Sequence, residues 1–183
     1  MIEQTPISSS RLPEGYWYHP EGYAWFVLPT APFVDLPEDV EVQGTMLRKK
    51  TEFHVTIMNV REVAQAITEQ KGGKKDEVER DILSMLATYL HNHRVHLVSF
   101  RDDLRFAKKQ ERISIAGRCD MEGIEGFFAD VESKYDVSIA RQPAHVSLYT
   151  LLDTGAVGID TDAEMENYTR VNMPVVQRLL GTI

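Results

Sequence analysis

Two short stretches of the chain hold the residue types needed to move protons around a phosphate: His54-Val55-Thr56-Ile57 and His145-Val146-Ser147-Leu148. Imidazole titrates near neutrality, at about 6.5 when unperturbed, so of two such rings one can be neutral while the other is charged. The neutral ring can take a proton from water or a ribose hydroxyl. The charged ring can give one to a departing oxygen. Hydroxyls such as those of Thr56 and Ser147 can donate hydrogen bonds to non-bridging phosphate oxygens, where negative charge sits. These four groups suffice for in-line transfer at phosphorus, and no cofactor is expected.

Such chemistry needs the groups on one surface, and a strand supplies that arrangement. Phe53 to Met58 and Ala144 to Tyr149 both read as strands. Alternate side chains then point the same way, so His54 and Thr56 project together, opposite to Val55 and Ile57. His145 and Ser147 project together in the same manner, opposite to Val146 and Leu148. The apolar sides belong to a core, which leaves the polar sides to line a cleft. A lone His-x-Ser/Thr is a weak signal, because the six histidines make a chance match unremarkable. Two matches in like contexts, one in each half of the chain, are stronger, and no other histidine here has Ser or Thr two residues later.

On these residues the chain resembles the 2H phosphoesterases, whose two His-x-Thr/Ser motifs are each followed by a hydrophobic residue. The resemblance covers most of residues 23–150 and is one of pattern away from the motifs. It implies an α+β fold of two pseudo-symmetric lobes of antiparallel sheet with packed helices around a central cleft, with residues 1–183 forming a single two-lobed catalytic domain. It also implies that His54 and His145 are the acid/base pair and that Thr56 and Ser147 hold the substrate phosphate. The activity implied is a metal-independent phosphodiesterase acting on a cyclic phosphate, a 2′,5′-linked oligonucleotide, a cyclic oligonucleotide or an RNA end. Which histidine is base and which is acid stays open, as does hydrolysis against ligation. The alternative is a non-catalytic nucleotide- or RNA-binding module on the same fold.

Neighbouring residues add candidate substrate contacts. Tyr149 lies two residues beyond Ser147, so strict alternation puts it beside His145, able to bind phosphate or stack on a base. Arg48, Lys49 and Lys50 precede the first motif and Arg141 precedes the second. Strand parity favours Lys50 and Arg141 as cations at the mouth of the cleft.

The competing site is His91-Asn92-His93-Arg94-Val95-His96, where three histidines suggest zinc. That segment crosses from a helix end into a strand without a recognised ligand spacing, and histidine near a helix C-terminus is favoured by the macrodipole alone. Asp102-Asp103 and Asp160/Asp162 read as solvated loop carboxylates rather than a magnesium site. Cys119, the single cysteine, reads as a buried thiol.

The elements that must position the motifs follow from the pattern. Residues 1–20 read as an irregular N-terminal arm. Tyr23 to Leu28 reads as a buried strand, and a loop runs through Leu36 to Asp39. Apolar spacing of three and four predicts helices over Glu77 to His91 and Ile124 to Tyr135. Arg94 to Phe100 and Arg112 to Gly117 read as strands separated by a charged connection. Asp153 to Asp162 reads as a loop, followed by a short apolar segment from Val175 to Leu180. This order fits an α+β domain with helices packed on antiparallel sheet.

Composition bounds the partners. Of 183 residues, 43% are hydrophobic and 26% charged, as in an ordinary globular protein. A net charge of −8 argues against long duplex nucleic acid, which needs a basic face, and leaves a small nucleotide or oligonucleotide held by a local site. No apolar run approaches the roughly 20 residues of a membrane span, and no signal peptide is evident, so a cytoplasmic monomer is expected.

Overall fold

Both motif segments form strands, as their alternation requires. The computed structural model describes residues 12–151 and 155–182. In chain order its elements are β1 (Tyr16–Tyr18), β2 (Tyr23–Leu28), β3 (Asp39–Val42), β4 (Thr45–Lys49), β5 (Phe53–Asn59), α1 (Val60–Lys71), α2 (Lys75–Asn92) and β6 (His96–Lys109). Then follow β7 (Arg112–Glu122), α3 (Glu125–Tyr135), β8 (His145–Thr150), α4 (Asp162–Asn167), β9 (Thr169–Val171) and α5 (Pro174–Leu180). The strands run in the order β1-β2-β5-β8-β7-β6-β9, with β3 on β4 and β4 on β8. Pairing is antiparallel at β1–β2, β3–β4, β4–β8, β5–β8, β7–β8 and β6–β9. This is a mixed α+β architecture built on a large antiparallel sheet. No helix among the described residues is long and apolar enough to cross a membrane.

The chain divides into two compact units. The first comprises Met1–Phe26, Ile57–His96 and Glu122–Ile139. It holds the β1–β2 hairpin and α1, α2 and α3, with α2 packed on both other helices. Its helices bury Val60, Ala64 and Ile67 from α1, Ile82 and Leu86 from α2, and Phe127 and Val131 from α3. A buried apolar side chain of this size contributes about 1.5–3 kcal/mol. One carboxylate is buried among them. Glu79 on α2 accepts a hydrogen bond from the Tyr18 hydroxyl and lies 3.8 Å from Arg61. Gly123 takes a φ of +87°, and a Cβ there would meet the Arg94 carbonyl oxygen at 2.1 Å, so only glycine fits.

The second unit comprises Val27–Thr56, Leu97–Met121 and Ala140–Ile183. It contains His54, Thr56, His145 and Ser147. Leu47, Val55, Leu104, Ile115, Val146 and Leu148 are buried in it. A smaller cluster of Ala107, Ala116, Val157, Ile159 and Met165 seats the segment 155–168 on β6 and β7.

Several elements depart from the sequence expectation. Tyr16-Trp17-Tyr18 pairs with Ala24 to Phe26 instead of joining an irregular arm, since three aromatics suit a pleated surface; residues 1–11 of that arm lie outside the described residues. The loop read through Leu36 to Asp39 gives way at Asp39 to a hairpin over residues 39–49, which the sequence reading did not assign. Its turn, Gln43-Gly44, has φ of 52° and 72°, the two positive values a tight two-residue hairpin requires. The charged connection after Phe100 is instead the body of β6. Helix α1 went unread because only Val60, Ala64 and Ile67 of its residues are buried, too sparse an apolar stripe. The loop expected over Asp153 to Asp162 is irregular from 155 up to the start of α4, and its residues 153 and 154 lie outside the described residues.

Candidate active site

The site begins with one register. Val55 of β5 stands opposite Val146 of β8, and both are buried. Residues opposite each other in an antiparallel pair point to the same side, and their neighbours point to the other. His54 therefore falls across from Ser147 and Thr56 across from His145, with all four side chains on the side away from the valines. A slip of one residue in either strand would turn two of the four into the core, so burial of Val55 and Val146 fixes the arrangement. His54 and Thr56 are half-buried, and His145 and Ser147 are 8% exposed.

His145 is held in one tautomer. Its Nδ1 lies 2.7 Å from the Pro143 carbonyl oxygen, an acceptor only, so Nδ1–H donates and Nε2 carries the lone pair. Burial lowers its pKa from the ordinary histidine value, and nearby Arg118 acts in the same direction. The bond to Pro143 and the charges of Asp160 and Glu164 oppose that shift without cancelling it. The neutral, proton-accepting form is the one this environment favours.

Across from β8 on the other side runs β7. Arg118 pairs with His145, Gly117 with Val146 and Ala116 with Ser147. Arg118 thus shares the side of the histidines, where it meets Asp162, Glu166 at 2.5 Å and Asp103 at 3.7 Å. The segment 155–168 covers this end of the site. Val157 and Ile159 pack against Ala116, the Val157 amide donates to Ser114, and Asp160 accepts from Gln142 at 2.7 Å.

Tyr149 is not on this side. Between the pairs Ile115–Tyr149 and Ala116–Ser147, β8 has one extra residue, Leu148, and this bulge breaks the alternation. Tyr149 turns to the side of Ile115, where it is wholly buried. Its hydroxyl has no hydrogen-bond partner among the described residues, and burial pushes its pKa up to about 12. Thr150, paired with Ser114, takes the place on the polar side that alternation had assigned to Tyr149.

Of the cations flagged before the motifs, Arg48 and Lys49 belong to β4, which lies along the same edge of β8 as β5. Lys49 shares the side of Tyr149, and its ammonium binds the Val34 and Leu36 carbonyls and Glu38. Arg48 pairs with Asp39 and is exposed. Lys50 continues the ladder, its amide donating to the Leu148 carbonyl 2.9 Å away, just past the end of β4. It is half-buried, and desolvation lowers its pKa despite the charge of Glu52. Arg141 is half-buried in the irregular connection before β8, where strand parity does not apply.

The residues missed in the sequence are Arg118 and Glu164, which set the charge around His145 together with Asp160, read there only as a solvated loop carboxylate. Arg118 keeps parity with Ser114 and Ala116, a signal available once β7 is extended past Gly117. Glu164 reaches the site through α4, which no periodicity announced, and Asp160 through the irregular segment before it.

The histidines of the 91–96 segment have local roles. Nδ1 of His91 bonds the Ala87 carbonyl at 2.8 Å, and that of His93 bonds the Tyr89 carbonyl at 3.1 Å while its ring stacks on Tyr89. His96 faces Glu122 at 3.6 Å. No group of three or more His, Cys, Asp or Glu among the described residues is arranged to hold a metal. Of the aspartates read as solvated, Asp103 lies in the Arg105 and Arg118 ion-pair network. Cys119 is buried, and burial pushes its thiol up to about 12, far from a reactive thiolate.

Comparison of the chain with models of known protein families, with curated proteins and with solved structures finds no match.

Proposed function

We propose that this protein is a phosphodiesterase of the 2H type, with the two-lobed arrangement of that family, acting on a cyclic phosphate or on a 2′,5′-linked or other small oligonucleotide. The observation that carries the reading is the Val55–Val146 register, which gathers two imidazoles and two hydroxyls on one side of adjacent strands.

In this mechanism His145 is the base. Its Nε2 takes a proton from water as the water oxygen bonds to phosphorus. Protonated His54 gives its proton to the leaving ribose oxygen as the P–O bond breaks. Thr56 and Ser147 donate to the non-bridging oxygens, where charge rises in the transition state. The assignment of base rests on the Pro143 bond, which takes the Nδ1 proton in a hydrogen bond and makes Nε2 the bare nitrogen of the neutral ring, and on burial, which favours that neutral ring.

Hydrolysis of a panel in the presence of chelator tests the proposal: 2′,3′-cyclic mononucleotides, ADP-ribose cyclic phosphate, 2′,5′-oligoadenylate, 3′,5′-linked RNA and cyclic dinucleotides. Turnover of one class supports it. Activity on none of them, or only with added metal, removes it and leaves a nucleotide-binding module as the better reading.

A further inference from the structure

Arg118 of β7 stands opposite His145 of β8, and the next residue in the same row is Thr56 of β5. Residues opposite each other across an antiparallel pair have Cβ atoms about 4.5–5.5 Å apart, so the arginine stem leaves the sheet beside the imidazole. Both terminal nitrogens of its guanidinium are occupied, each by a different carboxylate. Nη1 meets Glu166 at 2.5 Å and Nη2 meets Asp162. These two residues lie four apart on α4, on one face of the helix. Two separate carboxylate oxygens on the two ends of one fork reproduce the pair of oxygens that a phosphate presents to arginine.

These two contacts can be exchanged. The Arg118 side chain is 17% exposed, whereas those of Asp162 and Glu166 are 67% and 54% exposed. An ion pair whose carboxylate is so open to water is weak. Nor does giving it up strand a charge. Glu166 keeps Arg105 on its other oxygen, at 2.7 Å, and Asp162 turns into water. Asp103, the third carboxylate near Arg118 at 3.7 Å, is already held by Nε and Nη2 of Arg105. The backbone of α4 stays in place throughout, because Met165 is packed with Val157 and Ile159 in a buried cluster.

We propose that Arg118 is a phosphate-binding residue of this site, and that Asp162 and Glu166 are built-in competitors that occupy its guanidinium until a substrate phosphate replaces them. This rests on the phosphodiesterase reading and deepens it, adding a guanidinium to the hydroxyls of Thr56 and Ser147 as a phosphate contact. The ligand it takes is a phosphate with two unesterified oxygens to face the fork, as phosphodiesters and phosphomonoesters both have.

Calorimetric binding of adenosine 2′-phosphate and of inorganic phosphate to the full chain tests this without turnover. Asp162→Asn with Glu166→Gln should tighten binding of both by about threefold or more, the competitors being gone. Arg118→Met should weaken it about tenfold, and Arg118→Lys should recover only part, since a point charge spans two oxygens poorly. Joining all three substitutions closes the cycle: without Arg118, loss of the two carboxylates should no longer tighten binding. Tightening of the same size in the triple variant would reveal a general effect of the two charges and overturn the inference. So would parent-like affinity in Arg118→Met, or no binding of either probe by the parent and by the Asp162→Asn, Glu166→Gln variant. Arg118-dependent exchange in a protein that turns over no phosphodiester would keep the inference and remove the catalytic reading. Turnover together with any of the overturning results would leave the catalytic reading standing and remove the inference alone.

Discussion

Val55 and Val146 face each other across the β5–β8 pair, and that contact decides where four polar side chains go. Neither valine touches substrate in the proposed mechanism. Both act by being buried, because a strand with one face in the core has no second register in which its apolar set stays dry. Replacing Val55 by Ala should cost about 1–3 kcal/mol in urea unfolding through the cavity left behind.

Stability should fall as pH drops from 7 toward 5. The unfolded chain takes up a proton at His145 near 6.5, whereas burial lowers that pKa in the fold. The unfolded state therefore binds more protons in this window, and unfolding becomes easier as pH decreases through it. The paired carboxylates Asp81, Asp103, Asp120 and Glu164 have lowered pKa values, so their contribution is lost only in a separate window below their ordinary range. His145→Asn keeps a donor for the Pro143 carbonyl and cannot titrate near neutrality. It should flatten the upper part of the curve and leave the acid part in place.

The acid limb of the kcat/KM profile should respond to the charges around His145 in opposite directions. Arg118 lowers the pKa of this ring and Asp160 raises it. Arg118→Met should therefore move the limb to higher pH, and Asp160→Asn to lower pH. Shifts in the same direction, or none, would detach the limb from His145.

Two buried tyrosines should behave differently on loss of the hydroxyl. The Tyr149 hydroxyl has no partner among the described residues, so Tyr149→Phe should be neutral or stabilising by up to about 1 kcal/mol, with activity intact. Tyr18 donates to buried Glu79, so Tyr18→Phe should destabilise by about 1–3 kcal/mol. A large loss of activity in Tyr149→Phe would mean that this residue reaches substrate after all.

The contrast at residue 149 shows how far alternation alone can be read. His54, Thr56, His145 and Ser147 lie in unbroken stretches of strand, and period two assigns their side correctly. Tyr149 lies beyond an inserted residue whose presence depends on the partner strand β7, which no local pattern in β8 reveals. Helices α2 and α3 were legible because their stripes bury large side chains such as Leu86 and Phe127. Helix α1 was not, its buried positions being three among many polar ones. Arg118 was hidden for another reason: its importance comes from standing opposite His145, a relationship between strands far apart in sequence.

The central claim is that His54 and His145 move the protons. Single substitutions to Ala, in the chelator assay with whichever substrate is turned over, test it most directly once circular dichroism and thermal melting show each variant folded. The account predicts that each lowers kcat by about 10²–10⁴-fold and that the double variant loses little more than the worse single one, because the two act as a unit. Turnover that survives either substitution in a folded protein would contradict it.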